Sequence, residues 1–151
     1  MMGAEELRAA LPGSWHLLGW EIARDDGGAP SHPFGADATG LLHYTHDGGM
    51  AASIARAGRA PLSSPSARTA PQAEQLAAFE SFFHYAGRYR VQAQGGRVQV
   101  VHEVAQSLNP SMVGSQQVRD ARLDADGTLT LSASEALPGG GQRHHRLIWR
   151  R

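Results

Sequence analysis

Residues 40–55 read GLLHYTHDGGMAASIA. Two runs of strand-forming residues, 40–45 and 50–55, flank His46-Asp47-Gly48-Gly49. Asp-Gly between such runs is hairpin chemistry, because a tight turn needs residues that accept positive φ. The stretch therefore sets up an antiparallel pair, and the same grammar continues on both sides of it. Upstream, residues 15–22 (WHLLGWEI) alternate, with Trp15, Leu17 and Gly19 on one face and Leu18, Trp20 and Ile22 on the other. Downstream, strand patterns run over 85–93, 97–108, 116–123, 128–133 and 143–151. Gln94-Gly95-Gly96, Asn109-Pro110, Asp124-Ala125-Asp126-Gly127 and residues 138–141 punctuate them.

One segment departs from this pattern. Residues 56–70 are rich in Ala, Pro, Ser and Arg without periodicity and read as a loop. Thr69 is a candidate helix cap, and Leu76, Phe79, Phe82 and Phe83 recur at helical spacing, which predicts a helix over 70–83 with an aromatic packing face. Helix and loop together read as a lid at one end of the molecule. The total is about eight strands in simple succession with one inserted helix. No helices alternate with the strands, so a parallel sheet is disfavoured. Antiparallel strands in this number remove their edges by closing into a barrel, whose interior holds side chains or one small ligand. The fold class is all-β: a single antiparallel up-and-down eight-stranded barrel over residues 1–151, with one helix between strands 3 and 4.

Composition narrows the function classes. The chain has 151 residues, 41% hydrophobic and 19% charged, which suits one domain with its own core. Fourteen basic and fourteen acidic residues cancel, so no positive field for nucleic acid exists. Every basic residue is Arg, which excludes a Schiff-base lysine, and the absence of Cys excludes disulfides, thiolate nucleophiles and Cys-ligated metals. No apolar run approaches the ~20 residues of a membrane span, and no signal peptide is visible at the N-terminus. A cytoplasmic location is the expectation.

An ordered series of residues resembles the small bacterial and fungal lipocalin-like domain family. It runs from Leu11-Pro12-Gly13-Ser14-Trp15 through Pro33-Phe34-Gly35, Gly40-Leu41-Leu42-His43-Tyr44, Asp47-Gly48 with Met50, and Tyr85-Ala86-Gly87-Arg88-Tyr89. It continues through Val98, His102 and Ser107-Leu108-Asn109-Pro110 to Gly114, Arg119, Leu129-Thr130-Leu131 and Trp149-Arg150-Arg151. Gly13-Ser14-Trp15 also resembles the Gly-x-Trp mark of lipocalins at large. The resemblance implies that Arg151 or Arg150 packs over Trp15, and that the barrel encloses a ligand cavity. It does not fix an activity: related small barrels act as cofactor-independent cyclases or isomerases, and members occur beside natural-product pathways.

Alternation assigns the lumen. Trp15, Leu42, Tyr44, Met50, Tyr85, Tyr89, Val100, His102, Gln106, Gln117, Arg119, His145 and Trp149 fall on the inward face, with no carboxylate among them except Glu21 near a strand end. His102 has the chemistry of a proton shuttle, Tyr44 and Tyr89 can donate to a carbonyl, and Arg119 can stabilise developing negative charge, so these four are the candidate catalytic set. Trp15, Leu42, Met50, Tyr85, Val100, Gln106, Gln117, His145 and Trp149 are the candidate ligand contacts. His43 and His46, and likewise His144 and His145, point to opposite strand faces, so no metal and no other cofactor is expected. There is no Gly-x-Ser-x-Gly elbow.

Three functions fit these residues. A cofactor-independent cyclase, isomerase or dehydratase of natural-product metabolism would use the His–Tyr–Arg set on a hydrophobic small molecule. A non-catalytic carrier would use the same cavity to bind. A homo-oligomeric barrel filled by its own side chains would need neither, and outward Ile148 and Val101 suggest a homodimer.

Overall fold

A computed structural model describes residues 2–151. The chain opens with helix α1 (Ala4–Ala10), followed by strands β1 (Gly13–Arg24), β2 (Thr39–Tyr44) and β3 (Gly49–Ala55). Helix α2 (Gln72–Glu80) precedes β4 (Phe82–Gln94), β5 (Arg97–Ser107), β6 (Gln116–Leu123), β7 (Thr128–Ala136) and β8 (Gln142–Arg150). Each strand pairs antiparallel with the next, and β8 returns to β1, so the eight strands form a closed up-and-down barrel.

The hairpin at residues 40–55 forms as its turn chemistry dictates. The Thr45 N–H donates to the Gly49 carbonyl at 2.9 Å, Gly48 takes φ of 93°, and the Thr45 hydroxyl donates to Asp47 at 2.5 Å. That bond holds the Asp47 carboxyl below its usual range.

Sequence reading overlooked α1, although Leu7 and Leu11 stand four residues apart. Both are almost fully buried and plug one barrel end; burying a Leu stabilises a fold by about 1.5–3 kcal/mol. Arg8 donates to the Val91 carbonyl at 2.9 Å, and the Trp15 indole donates to Leu11 at 2.9 Å. The Arg151 guanidinium lies 4.3 Å from the Trp15 ring centroid and donates to the Pro12 carbonyl at 3.0 Å. The lipocalin-type Arg over Trp15 is thus Arg151.

Two bulges overturn strict alternation. The β1–β8 register shifts between Leu17 and Gly19, which puts Leu18 in solvent and turns Trp20 inward. Trp20 therefore belongs to the lumen, not to the opposite face. The β4–β5 register shifts between Ala86 and Gly87, leaving Ala105 as the extra residue on β5. Beyond it Gln106, expected on the inward face as a ligand contact, is exposed and lines no part of the lumen cavity. Gly87 makes this bulge feasible: a Cβ there would stand 1.9 Å from the Glu103 carbonyl oxygen.

The inserted helix is shorter than its periodicity implied. Pro71 occupies its N-cap, Thr69 lies in the preceding short turn, and Phe82 and Phe83 begin β4 opposite Ala55 and Ile54. Ladder pairing with β3 overrides the local helical spacing of these two residues. Phe79 is 51% exposed and Leu76 58% exposed, so the expected aromatic packing face is not formed by the helix. The preceding loop is tied down, with Glu74 accepting from Ser63, Arg59 donating to Ala78 and Arg56 to Pro33. Val101 has no exposed surface and offers nothing to a second copy. No helix among the described residues is long and apolar enough to cross a membrane.

Candidate functional site

The lumen is divided along its length. Part of it is filled: Trp15, Tyr44, Met50, Val100 and Leu129 are buried against one another and line no open space, while a second pocket of about 440 Å³ lies beside α1, lined by Met2, Leu7, Val98, Ala121 and Leu123. Trp15, Met50 and Val100, expected as ligand contacts, are core here, in one buried cluster with Leu7 and Leu11 of α1. Beyond the filled part lies a cavity of about 390 Å³. Its size sits at the lower end of pockets that take small organic ligands. Leu42, Tyr85, His102, Gln117, Arg119, His145 and Trp149 line it as alternation predicted. Sequence reading missed Trp20, Phe83 and Glu135, which also line it. Glu135 is legible in the sequence: alternation from Leu131 through Ala133 reaches it, because β7 continues past residue 133 to Ala136.

A buried relay crosses from the filled part to the cavity. Tyr44 Oη lies 2.7 Å from His102 Nε2, and Tyr85 Oη lies 2.6 Å from His102 Nδ1. All three side chains are buried. Desolvation, reinforced by the positive charge of Arg119, lowers the His102 pKa to about 3. Burial raises both tyrosines, so at neutral pH all three groups are uncharged. A neutral imidazole has one N–H and one acceptor nitrogen. Tyr44 has no other hydrogen-bond partner among the described residues and does not line the cavity, so its proton goes to Nε2. The imidazole proton then sits on Nδ1 and is donated to Tyr85, which leaves the Tyr85 O–H free to donate into the cavity.

This geometry changes two roles read from the sequence. His102 offers no free nitrogen to the lumen, and a pKa near 3 removes it from proton shuttling at neutral pH. It is a positioning residue that sets the direction of the Tyr85 proton. Tyr44 acts one step further back. Tyr89, also in the proposed catalytic set, packs 4.6 Å from the Tyr44 ring and donates to the Thr45 carbonyl at 2.9 Å, outside the cavity lining. Tyr85 is the one of the three tyrosines that lines the cavity.

Arg119 is half-buried on the cavity wall. It donates to the Val118 carbonyl at 3.0 Å and to Gln117 Oε1 at 3.4 Å, and no carboxylate among the described residues lies within ion-pair distance of it. At the cavity's Trp20 side, His145 accepts from the Trp20 indole at 3.3 Å through Nδ1 and faces Glu135 at 3.0 Å through Nε2. The Trp20 bond fixes the neutral tautomer with its proton on Nε2, directed at Glu135. Bonds from His145 and Arg143 hold the Glu135 carboxyl below its usual range. Among the described residues, no three His, Asp or Glu side chains are grouped as a metal site.

A family model described as a lipocalin-like domain matches residues 12–151. Among solved structures, a redesigned β-barrel aligns over 95% of this chain and 93% of its own at 13% identity, with a TM-score of 0.39. No curated protein matches the chain by sequence.

Proposed function

Because the chain belongs to the lipocalin-like domain family, we propose that its barrel binds one hydrophobic small molecule whose oxygen acceptor meets Tyr85 and Arg119. The observation that carries this reading is the pairing of an apolar cavity with a free phenolic donor, whose direction is set by Tyr44 and His102. Apolar walls favour transfer of a ligand from water, and a few placed polar groups orient it.

A second reading makes the same cavity catalytic, as a cofactor-independent cyclase, isomerase or dehydratase of natural-product intermediates. It is favoured by two polar groups on one cavity. Tyr85 and Arg119 can stabilise an enolate oxygen, and the Glu135–His145 pair can accept a proton. In this version His102 and Tyr44 act through Tyr85, and no cofactor takes part.

One experiment separates the two. Purified protein is incubated with small-molecule extract from a strain lacking its gene, and mass spectrometry follows the free and the protein-bound pools. Capture of a compound unchanged supports binding alone. Loss of a compound matched by a new isomer or dehydrated product supports catalysis. Equal pools with and without the protein contradict both.

A further inference from the structure

The proposal that a small molecule occupies the barrel leaves its charge open, and Arg119 bears on that. We propose that the ligand is an amphipathic carboxylate, held with its anionic oxygens between the Arg119 guanidinium and the Tyr85 hydroxyl and its apolar body against Trp20 and Phe83. The inference rests on the small-molecule reading above.

Three observations converge. Arg119 is the one basic side chain among the described residues that lines this cavity, apart from the neutral His102 and the tautomer-fixed His145. Its contacts are its neighbour's carbonyl and one long bond to Gln117 Oε1, so the guanidinium fork keeps donors unused. Strand register places Arg119 on β6 opposite Val100, one inward position along β5 from His102, and Arg119, His102 and Tyr85 line the same cavity. The relay, for its part, presents an O–H and not a lone pair. A cation and an outward O–H on one wall select an anionic oxygen acceptor. An amine is disfavoured on that wall, and a neutral ester uses the O–H but not the charge. The cavity's single carboxylate, Glu135, is already engaged by His145 and Arg143 and does not compete for Arg119. An Arg–carboxylate pair in a partly desolvated wall gains charge-assisted, bidentate hydrogen bonds.

The test compares decanoate and 2-naphthylacetate with their methyl esters and the matching alcohols, read by fluorescence of Trp20 and Trp149 in the cavity wall. Hydrophobicity alone favours each ester over its acid, so the order of affinity is diagnostic. The inference predicts that the acids bind at least 10-fold tighter than their esters at neutral pH. Arg119→Gln should weaken acid binding by at least 10-fold and ester binding by less, so that the preference for acid over ester collapses. Arg119→Lys, which keeps the charge without the fork, should restore part of the preference. Melting curves report whether each variant is folded. Ester binding equal to or tighter than acid binding in the wild type overturns the carboxylate inference and leaves small-molecule binding standing. Unchanged acid affinity in a folded Arg119→Gln overturns the assignment to Arg119. Failure of acids, esters and alcohols alike to bind overturns the inference together with the reading beneath it.

Discussion

Removing one hydroxyl from either end of the Tyr44–His102–Tyr85 relay should have unequal consequences. In Tyr44→Phe the buried Nε2 of His102 loses its donor in a place no ligand or water reaches, since Tyr44 is 2% exposed and lines no cavity. A buried acceptor left unpaired costs about 1–3 kcal/mol. A chain of this size loses about 2–4 °C of Tm per kcal/mol, so a fall of roughly 2–12 °C is expected. In Tyr85→Phe the group left behind is Nδ1–H, which lies at the cavity wall where water can replace the phenol. That variant should melt within about 2 °C of the wild type while losing affinity for any ligand that needs the hydroxyl. The assay is calorimetric melting of both variants at neutral pH, with ligand titration beside it. The proton assignment is wrong if Tyr85→Phe melts as low as Tyr44→Phe, or if Tyr44→Phe melts with the wild type.

Other outcomes follow from the same geometry. His102 titrates near pH 3 when folded and near 6.5 when unfolded, so the unfolded chain binds more protons between those values. Its contribution to stability is complete above about pH 6.5 and is lost as pH falls toward 3, with a slope of at most about 1.4 kcal/mol per pH unit. Urea denaturation across that window should show this slope in the wild type and a smaller one in His102→Gln. Gly87→Ala must move backbone to relieve a 1.9 Å approach to the Glu103 carbonyl, and should cost about 3 kcal/mol or more and shift the Tyr85 side chain. A denaturation midpoint equal to wild type would show that the bulge does not constrain this site. Arg151→Ala removes the cation over Trp15 and should cost about 1 kcal/mol with a change in Trp15 emission, measured by chemical denaturation.

Much of this molecule is readable before its structure. The hairpin at residues 40–55, the turn residues and the period-2 runs lead directly to a closed antiparallel barrel, because each is a local signal. Leu42, Tyr85, His102, Gln117, Arg119, His145 and Trp149 reach the cavity by parity alone. Parity fails where one residue is added to a strand: the irregularity near Leu18 turns Trp20 inward, and the one at Ala105 turns Gln106 outward. Neither bulge has a composition signal strong enough to be read without the partner strand. The helix boundary fails for a related reason, since Phe82 and Phe83 fit a helical stripe locally and a strand only when β3 is beside them. Trp15, Met50 and Val100 face inward as expected, yet which inward residues meet open space depends on how the side chains of all eight strands and α1 fill the barrel. The role of His102 turns on its two tyrosine partners, which stand 58 and 17 residues away and are brought to it by the barrel's closure.

The most direct test of the account is a crystal structure of the protein grown with decanoic acid. The account predicts one molecule inside the barrel, its carboxylate within hydrogen-bond distance of both Tyr85 Oη and the Arg119 guanidinium, and its chain lying against Trp20 and Phe83. A decanoate bound outside the barrel, or one inside it with its carboxylate turned away from Tyr85 and Arg119, would contradict it.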